Sequence, residues 1–397
     1  MVIWSGDDKT QSTITNFTNS GTINSSTNES IFIKNATITN FTNSGTITQG
    51  INMSNGVTID NFKNTGIIDI NTNLSYGSAL LLGTFNGSKP SIIKTFTNEG
   101  TIKSNNHGVS ITTSNKIETF TNKGTIDVEG NGINFFIFVG LGDGVSELGQ
   151  INLESGSIIK AGQNGIYIDG GIQDIKAKGI EVKKGAKVEG GNAGIFIGGG
   201  KQLDTLIKIS GEVKGGKAGI INEGVIGSGS DSSGDTGIKI EEGGSLAGGI
   251  VNQGNGSITG SITVEEGGQL DSIVNTSTSD TGISGSITNN SDNKLEISNG
   301  EGATIGGGIV NNGSADLVIS NQGNVGKDKD GNTVTNNGGG SVNIQDWVVS
   351  TDENGQLETV VVGGDNKDNV TVDKVTVDQS GLDLGQLDNV SNLISGV

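Results

Sequence analysis

Few side chains in this sequence could do acid–base or nucleophilic chemistry. There is one histidine and no cysteine, and all 24 basic residues are lysines. A Cys/His dyad is excluded, and a Ser-His-Asp triad would have to use His107, in Asn105-Asn-His-Gly108. That setting is a polar corner and predicts a solvated turn histidine. Two carboxylate pairs, Glu241-Glu242 and Glu265-Glu266, each precede a glycine by one position and recur 24 residues apart. Paired carboxylates serve glycoside cleavage when correctly spaced. Here the repeat places them on an exposed acidic corner. Asp328-Lys-Asp330-Gly-Asn332 resembles the first half of a calcium loop, with oxygen ligands at alternate positions. The closing ligands are missing, so a plain Asp-Gly turn is the favoured reading of Asp328, Asp330 and Asn332. No catalytic residue and no cofactor are predicted.

The elements that would position these groups repeat. Ile14-Thr-Asn-Phe17-Thr-Asn19-Ser-Gly21-Thr-Ile23 returns as Ile38-Thr-Asn-Phe41-Thr-Asn43-Ser-Gly45-Thr-Ile47. Weaker copies sit at Phe62/Gly66/Ile68, Phe96/Gly100/Ile102 and Phe120/Gly124/Ile126, with steps of 24, 21, 34 and 24 residues between phenylalanines. Self-similarity at this period predicts a solenoid. Three short strands fit each rung: Ile-x-x-Phe, then Gly-Thr-Ile, then a thread running from Gly108-Val-Ser-Ile111 through Gly165-Ile-Tyr-Ile168, Gly194-Ile-Phe-Ile197 and Gly249-Ile-Val-Asn252 to Gly308-Ile-Val-Asn311. Beyond about residue 150 the first strand changes to Ile180-Glu-Val182, Ile207-Lys-Ile209, Ile238-Lys-Ile240 and Ile262-Thr-Val264. The predicted fold is all-β, a right-handed parallel β-helix over residues 1–341. About thirteen rungs at ~4.8 Å spacing would make a rod of roughly 60 Å. Loops are expected near 72–90, 139–149, 169–179, 225–236, 276–293 and 326–340.

Phe17, Phe41, Phe62, Phe96 and Phe120 are expected in an inward stack. Asn19, Asn43, Asn64, Asn98 and Asn122 fall at one corner, where asparagine can take a left-handed backbone or stack its amides along the axis. Composition agrees with thin rungs: hydrophobic residues are 31%, glycine numbers 69, and Pro90 is the only proline. Proline is scarce wherever most strands donate to ladders. The net charge of −19 and the lack of arginine argue against nucleic acid or anionic lipid as partners. No apolar run is long enough to cross a membrane as a helix. The opening MVIWSGDD has no signal-peptide pattern, which suggests a mature fragment.

After Gly338-Gly-Gly340 the pattern shifts. Val342 to Val349, carrying Trp347, and Leu357 to Val362 flank Asn354-Gly355, which predicts a β-hairpin cap over 342–397. One run is apolar on both faces: Phe135-Phe136-Ile137-Phe138-Val139. Either Phe136 and Phe138 point outward beside Leu141 and Asp143 as a sticky patch, or the following loop folds over them.

Gly/Asn/Thr-rich rungs followed by a Trp-bearing strand pair resemble the passenger domain of an autotransporter (type V secretion). The dialect is similar to adhesin-type autotransporters of epsilonproteobacteria. The resemblance implies an exported bacterial cell-surface adhesin whose C-terminal segment 342–397 acts as a cap or autochaperone. The resemblance also implies a membrane barrel outside this sequence. The implied partner is a host cell-surface protein, a neutral glycan or a second copy. A β-helical polysaccharide lyase or hydrolase, and a cytotoxin passenger, are the rival expectations. The protease-type Gly-Asp-Ser-Gly string is not found. Polysaccharide-cleaving β-helices generally use arginine, which this chain lacks.

Overall fold

The computed structural model describes residues 1–4, 10–26, 29–70, 77–83, 89–112, 114–136, 145–169, 175–227, 237–351, 357–378 and 393–396. Two compact units emerge: Met1–Asp204 with Ile209–Ile220, and Thr205–Lys208 with Ile221–Val397. Both are parallel β-solenoids, as the repeat predicts.

In the first unit each rung contributes a strand to three parallel sheets. One sheet stacks Ser12–Asn19, Ala36–Asn43, Thr58–Asn64, Ile92–Asn98, Lys116–Asn122, Ser146–Leu153 and Ile175–Val182. Its register sets Phe17, Phe41, Phe62, Phe96 and Phe120 over one another, followed by Ile151 and Ile180. The rings stack with centroids 4.5, 4.7, 5.0 and 4.8 Å apart. Phe41 to Phe120 are fully buried, and Phe17, on the first rung, is half-buried. The second sheet carries the Gly-Thr-Ile strands, from Thr22–Ile23 to Glu212–Gly215, and stacks Ile23, Ile47, Ile68, Ile102 and Ile126 in one column. The third runs from Val2–Ile3 through Ile31–Lys34, Ser78–Gly83 and Asn164–Ile168 to Ala193–Ile197.

The glycine of each repeat has a steric cause. A Cβ on Gly45, Gly66, Gly100 or Gly124 would lie 1.9–2.1 Å from the carbonyl oxygen of the same glycine one rung earlier. The corner asparagines do not use the left-handed backbone. The described non-glycine residues with positive φ are Asn35, Gln49, Asn55 and Ser114. Instead the amides form a ladder: Asn19, Asn43, Asn64 and Asn98 each donate Nδ2 to Oδ1 of the next at 2.8 Å. Each link satisfies a polar group that burial would otherwise leave unpaired.

The second unit repeats the scheme with a different phase. One sheet contains Ile250–Gly254, Ser272–Ser277, Leu295–Asn299, Leu317–Asn321 and Val342–Val349. Another contains Gly237–Ile240, Ser261–Val264, Ile287–Asn289, Ile309–Asn311, Val334–Asn336 and Val360–Gly363. The thread expected to reach Gly308-Ile-Val-Asn311 therefore breaks. Ile309–Asn311 belongs with Ile262 and Ile287, while Leu295–Asn299 takes its place beside Ser272–Ser277. Strands also occupy parts of every expected loop: Ser78–Gly83 in 72–90, Ser146–Leu153 in 139–149, Ile175–Val182 in 169–179, Val225–Ile226 in 225–236, Ile287–Asn289 in 276–293 and Val334–Asn336 in 326–340.

The two halves of the expected hairpin join separate parallel sheets. Val342–Val349 pairs with Leu317–Asn321, and Val360–Gly363 with Val334–Asn336. Among the described residues a single antiparallel bridge, Thr351 to Leu357, links them, and Asn354-Gly355 lies outside those residues. A register shift between Ile319 and Ser320 sets the buried Trp347 opposite Asn321. Val370–Val372 and Val375–Val377 then stack on Val342–Val349, and Ile394–Ser395 on Val360–Gly363, so the coil continues with strands. Among the described residues no helix is long and apolar enough to cross a membrane.

Candidate binding surface

The third sheet of the first unit turns its middle residues outward. Phe32, Asn52, Leu81, Ser110, Asn134, Tyr167 and Phe196 share one column on the side away from the core; Asn52, Leu81, Ser110 and Asn134 are buried there, whereas Phe32, Tyr167 and Phe196 are half-buried. Period-2 alternation dictates this: Ile166 and Ile168 point into the core, so Tyr167 between them points out. Tyr167 and Phe196 stack across adjacent rungs, with centroids 5.3 Å apart and planes 19° apart. Both are half-buried. The Tyr167 hydroxyl donates to Asp169 Oδ2 at 2.9 Å. Asp169 is seated over Gly198, where a Cβ would come within 2.2 Å of its carboxyl. The group thus presents two aromatic edges, a phenol and a carboxylate on one face. Aromatic side chains with a polar tip suit a surface that contacts apolar and hydrogen-bonding groups together.

Phe136 follows the same sheet. Its N–H donates to the Ile111 carbonyl at 3.2 Å, while Asp169 N–H donates to the Phe135 carbonyl. The side chain is half-buried, with its ring centroid 6.4 Å from that of His107. Phe138, Leu141 and Asp143 lie outside the described residues. The aromatic pair Tyr167/Phe196 was not singled out by sequence reasoning. Its signal was present in Gly165-Ile-Tyr-Ile168 and Gly194-Ile-Phe-Ile197, whose third positions put aromatic residues on two consecutive rungs of a column whose one other aromatic is Phe32.

The residues considered for catalysis hold the solenoid together. His107 Nδ1 accepts from the backbone N–H of Asn131 at 3.0 Å, and burial pushes the imidazole pKa down. The expected solvated turn histidine is thus a half-buried, neutral acceptor. It sits against Gly130, where a Cβ would meet Nδ1 at 2.6 Å. Glu241 pairs with Lys208 at 3.1 Å, and Glu265 with Lys239 at 3.0 Å. Glu265 also accepts from Asn290 Nδ2 at 3.0 Å. These bonds tie Glu241 and Glu265 to lysine and asparagine, while Glu242 and Glu266 are exposed.

Asp328 is spent on its own loop. Oδ1 accepts from the N–H groups of Asp330 and Asn332, each at 2.9 Å, and Oδ2 accepts from the Thr335 hydroxyl. Burial raises its pKa, and the bonds from Thr335, Asn332 and Asp330 outweigh that, leaving it lowered. Asp330 is exposed. This is the geometry of an Asx turn. Among the described residues no three His, Cys, Asp or Glu side chains converge on a metal position.

Charged side chains elsewhere tie rung to rung. Glu99 stands between Lys63 at 2.8 Å and Lys123 at 3.2 Å, and hydrogen bonds from Lys63 and then Lys123 hold its carboxyl below the usual range. Lys94–Asp60, Lys116–Glu147 and Lys187–Glu212 repeat the device at 2.7, 2.8 and 2.9 Å. All are solvent-facing pairs that order the surface more than they stabilise it. No protein-family model, curated protein or solved structure matches the chain.

Proposed function

We propose that this chain is a binding module displayed on a bacterial cell surface, an exported adhesin passenger with no catalysis of its own. The observation that carries the reading is the aromatic pair Tyr167/Phe196 with Asp169, stacked on adjacent rungs on the side of the sheet away from the core. A repetitive polar surface offers a partner little to grip. The aromatic group offers apolar area with a fixed acceptor, the kind of anchor on which interfaces concentrate their energy. The resemblance of the rungs to autotransporter passengers supports an extracellular setting. The charge of −19 disfavours polyanionic partners, so the partner is a host surface protein or a neutral glycan.

The test is binding of the purified protein to host cells, matrix proteins and a glycan array. The Tyr167→Ala/Phe196→Ala variant should bind at least about tenfold more weakly, the loss expected of anchor residues. Its thermal transition serves as the control for folding. If the intact protein binds none of these surfaces, the adhesin reading fails. If the variant binds as tightly as the parent, the site lies elsewhere.

A further inference from the structure

The first rung of the first unit carries the full repeat formula but pairs on one side. Among the described residues Ser12–Asn19 is bonded only to Ala36–Asn43. Ile14 and Phe17 are half-buried, whereas their counterparts Ile38 and Phe41 are fully buried. A Cβ on Gly21 meets nothing within 4 Å, although the equivalent position on each of the next four rungs abuts a carbonyl. An eight-residue strand with one free edge is a template for another strand.

The spacing along that edge identifies the partner. The core-facing residues are Ser12, Ile14, Phe17 and Asn19, and the exposed residues between them include Thr13 and Thr18. The core-facing positions are symmetric about the midpoint between Thr15 and Asn16. An antiparallel copy of the same strand would place Ile14 over Phe17, Phe17 over Ile14, and Ser12 over Asn19. A two-fold axis through the midpoint makes each contact twice, as an isologous interface requires. The same rotation carries the Val2–Ile3 edge of one molecule towards the Thr22–Ile23 edge of the other. These four residues include the exposed Val2 and half-buried Ile3 and Ile23.

We propose that two copies of this chain associate through the Ser12–Asn19 edges, antiparallel and about a two-fold axis, each completing the other's first rung. The inference concerns a surface distinct from the aromatic face and does not depend on the adhesin reading.

The chain has no cysteine, which makes the test direct. In the two-fold pairing Thr13 lies opposite Thr18 of the second copy, with Cα atoms about 4.5–5.5 Å apart, within disulfide range. Thr13 lies about 16 Å from the second copy's Thr13, which is out of range. Both threonines are exposed, so their substitution leaves the core intact. Sedimentation velocity of the 397-residue protein over a concentration series should show a monomer–dimer equilibrium. Under mild oxidation Thr13→Cys/Thr18→Cys should cross-link to a covalent dimer, and neither single variant should. Thr13→Lys/Thr18→Lys, which opposes like charges twice, should weaken dimerisation about tenfold. Thr13→Lys/Thr18→Glu should retain it. A protein that stays monomeric at every concentration overturns the proposal. So do single-cysteine variants that cross-link as readily as the double, or charge variants that dimerise equally well.

Discussion

Asn98 Nδ2 lies 2.8 Å from Asn122 Oδ1, although 24 residues separate them in the chain. The same amide also donates to the Gly100 carbonyl at 3.3 Å, and Asn64 Nδ2 donates to Asn98 Oδ1 at 2.8 Å. One fully buried side chain therefore binds its own corner and the rungs on both sides. The second unit builds equivalent ladders through Asn222, Asn252, Asn275, Asn299 and Asn321, and through Asn289, Asn311 and Asn336. Register between rungs is thus fixed twice, by stacked rings or aliphatic chains inside and by amides at the corner.

Asn98→Ala should lose more than the transfer of one amide. It leaves Asn64 Nδ2 without its ladder acceptor and Asn122 Oδ1 without its ladder donor, both buried. Each orphaned group costs about 1–3 kcal/mol, so the variant should be destabilised by roughly 2–5 kcal/mol. Urea unfolding of parent and variant measures it. A loss below about 1 kcal/mol would show that water or a shifted corner replaces the ladder.

Gly66 and Gly21 occupy the same place in the repeat but differ in what lies next to them. A methyl group on Gly66 would sit 2.0 Å from the Gly45 carbonyl oxygen and 2.7 Å from the Ser44 carbonyl carbon, both backbone atoms that cannot swing away. Gly66→Ala must therefore push two rungs apart, a loss of about 3 kcal/mol or more. Gly21→Ala meets open space and should fall within about 0.5 kcal/mol of the parent. Equal melting temperatures for the two variants would refute the steric account of the repeat glycines.

The repeat made the solenoid readable because its period, its inward columns and its glycine are all set by contact with the next rung. Position within the coil was harder to read. Gly249-Ile-Val-Asn252 and Gly308-Ile-Val-Asn311 are the same string, yet they lie in different sheets, since a strand ending in asparagine at a corner suits either one. Val342 to Val349 and Leu357 to Val362 read as a hairpin because two apolar runs flank Asn-Gly. Their inward residues have the spacing of the rungs before them, and parallel pairing won. Asp328 resembles half a metal loop because ligand spacing and Asx-turn spacing coincide over five residues, and the missing closing ligands are what favoured the turn that its side chain makes. The aromatic pair was legible in its strings, but its significance depends on Tyr167 and Phe196 being in register on consecutive rungs. Only the pairing supplies that.

His107 gives the fold a pH dependence whose sign follows from its burial. The folded protein holds the imidazole neutral, with Nδ1 accepting from Asn131 N–H, and depresses its pKa below the ordinary value near ~6.5. The unfolded chain therefore binds a proton at a higher pH than the folded one. Between those two values the unfolded state carries more protons, so stability falls as the pH falls. The contribution is fully present above about pH 6.5 and declines from there until the lowered folded value is reached. Glu99, Asp292 and Asp316 have lowered carboxyl pKa values and act further down, below about pH 4.5. Chemical denaturation at pH 7.5, 6.5, 5.5 and 5.0 should show near-level stability at the upper end and a progressive loss from about pH 6.5 downward. His107→Gln, which keeps an acceptor for Asn131 without a titrating ring, should flatten that slope and leave the more acidic limb unchanged. A parent whose stability is level from pH 7.5 to 5.0 would mean that His107 titrates as freely in the fold as in the open chain.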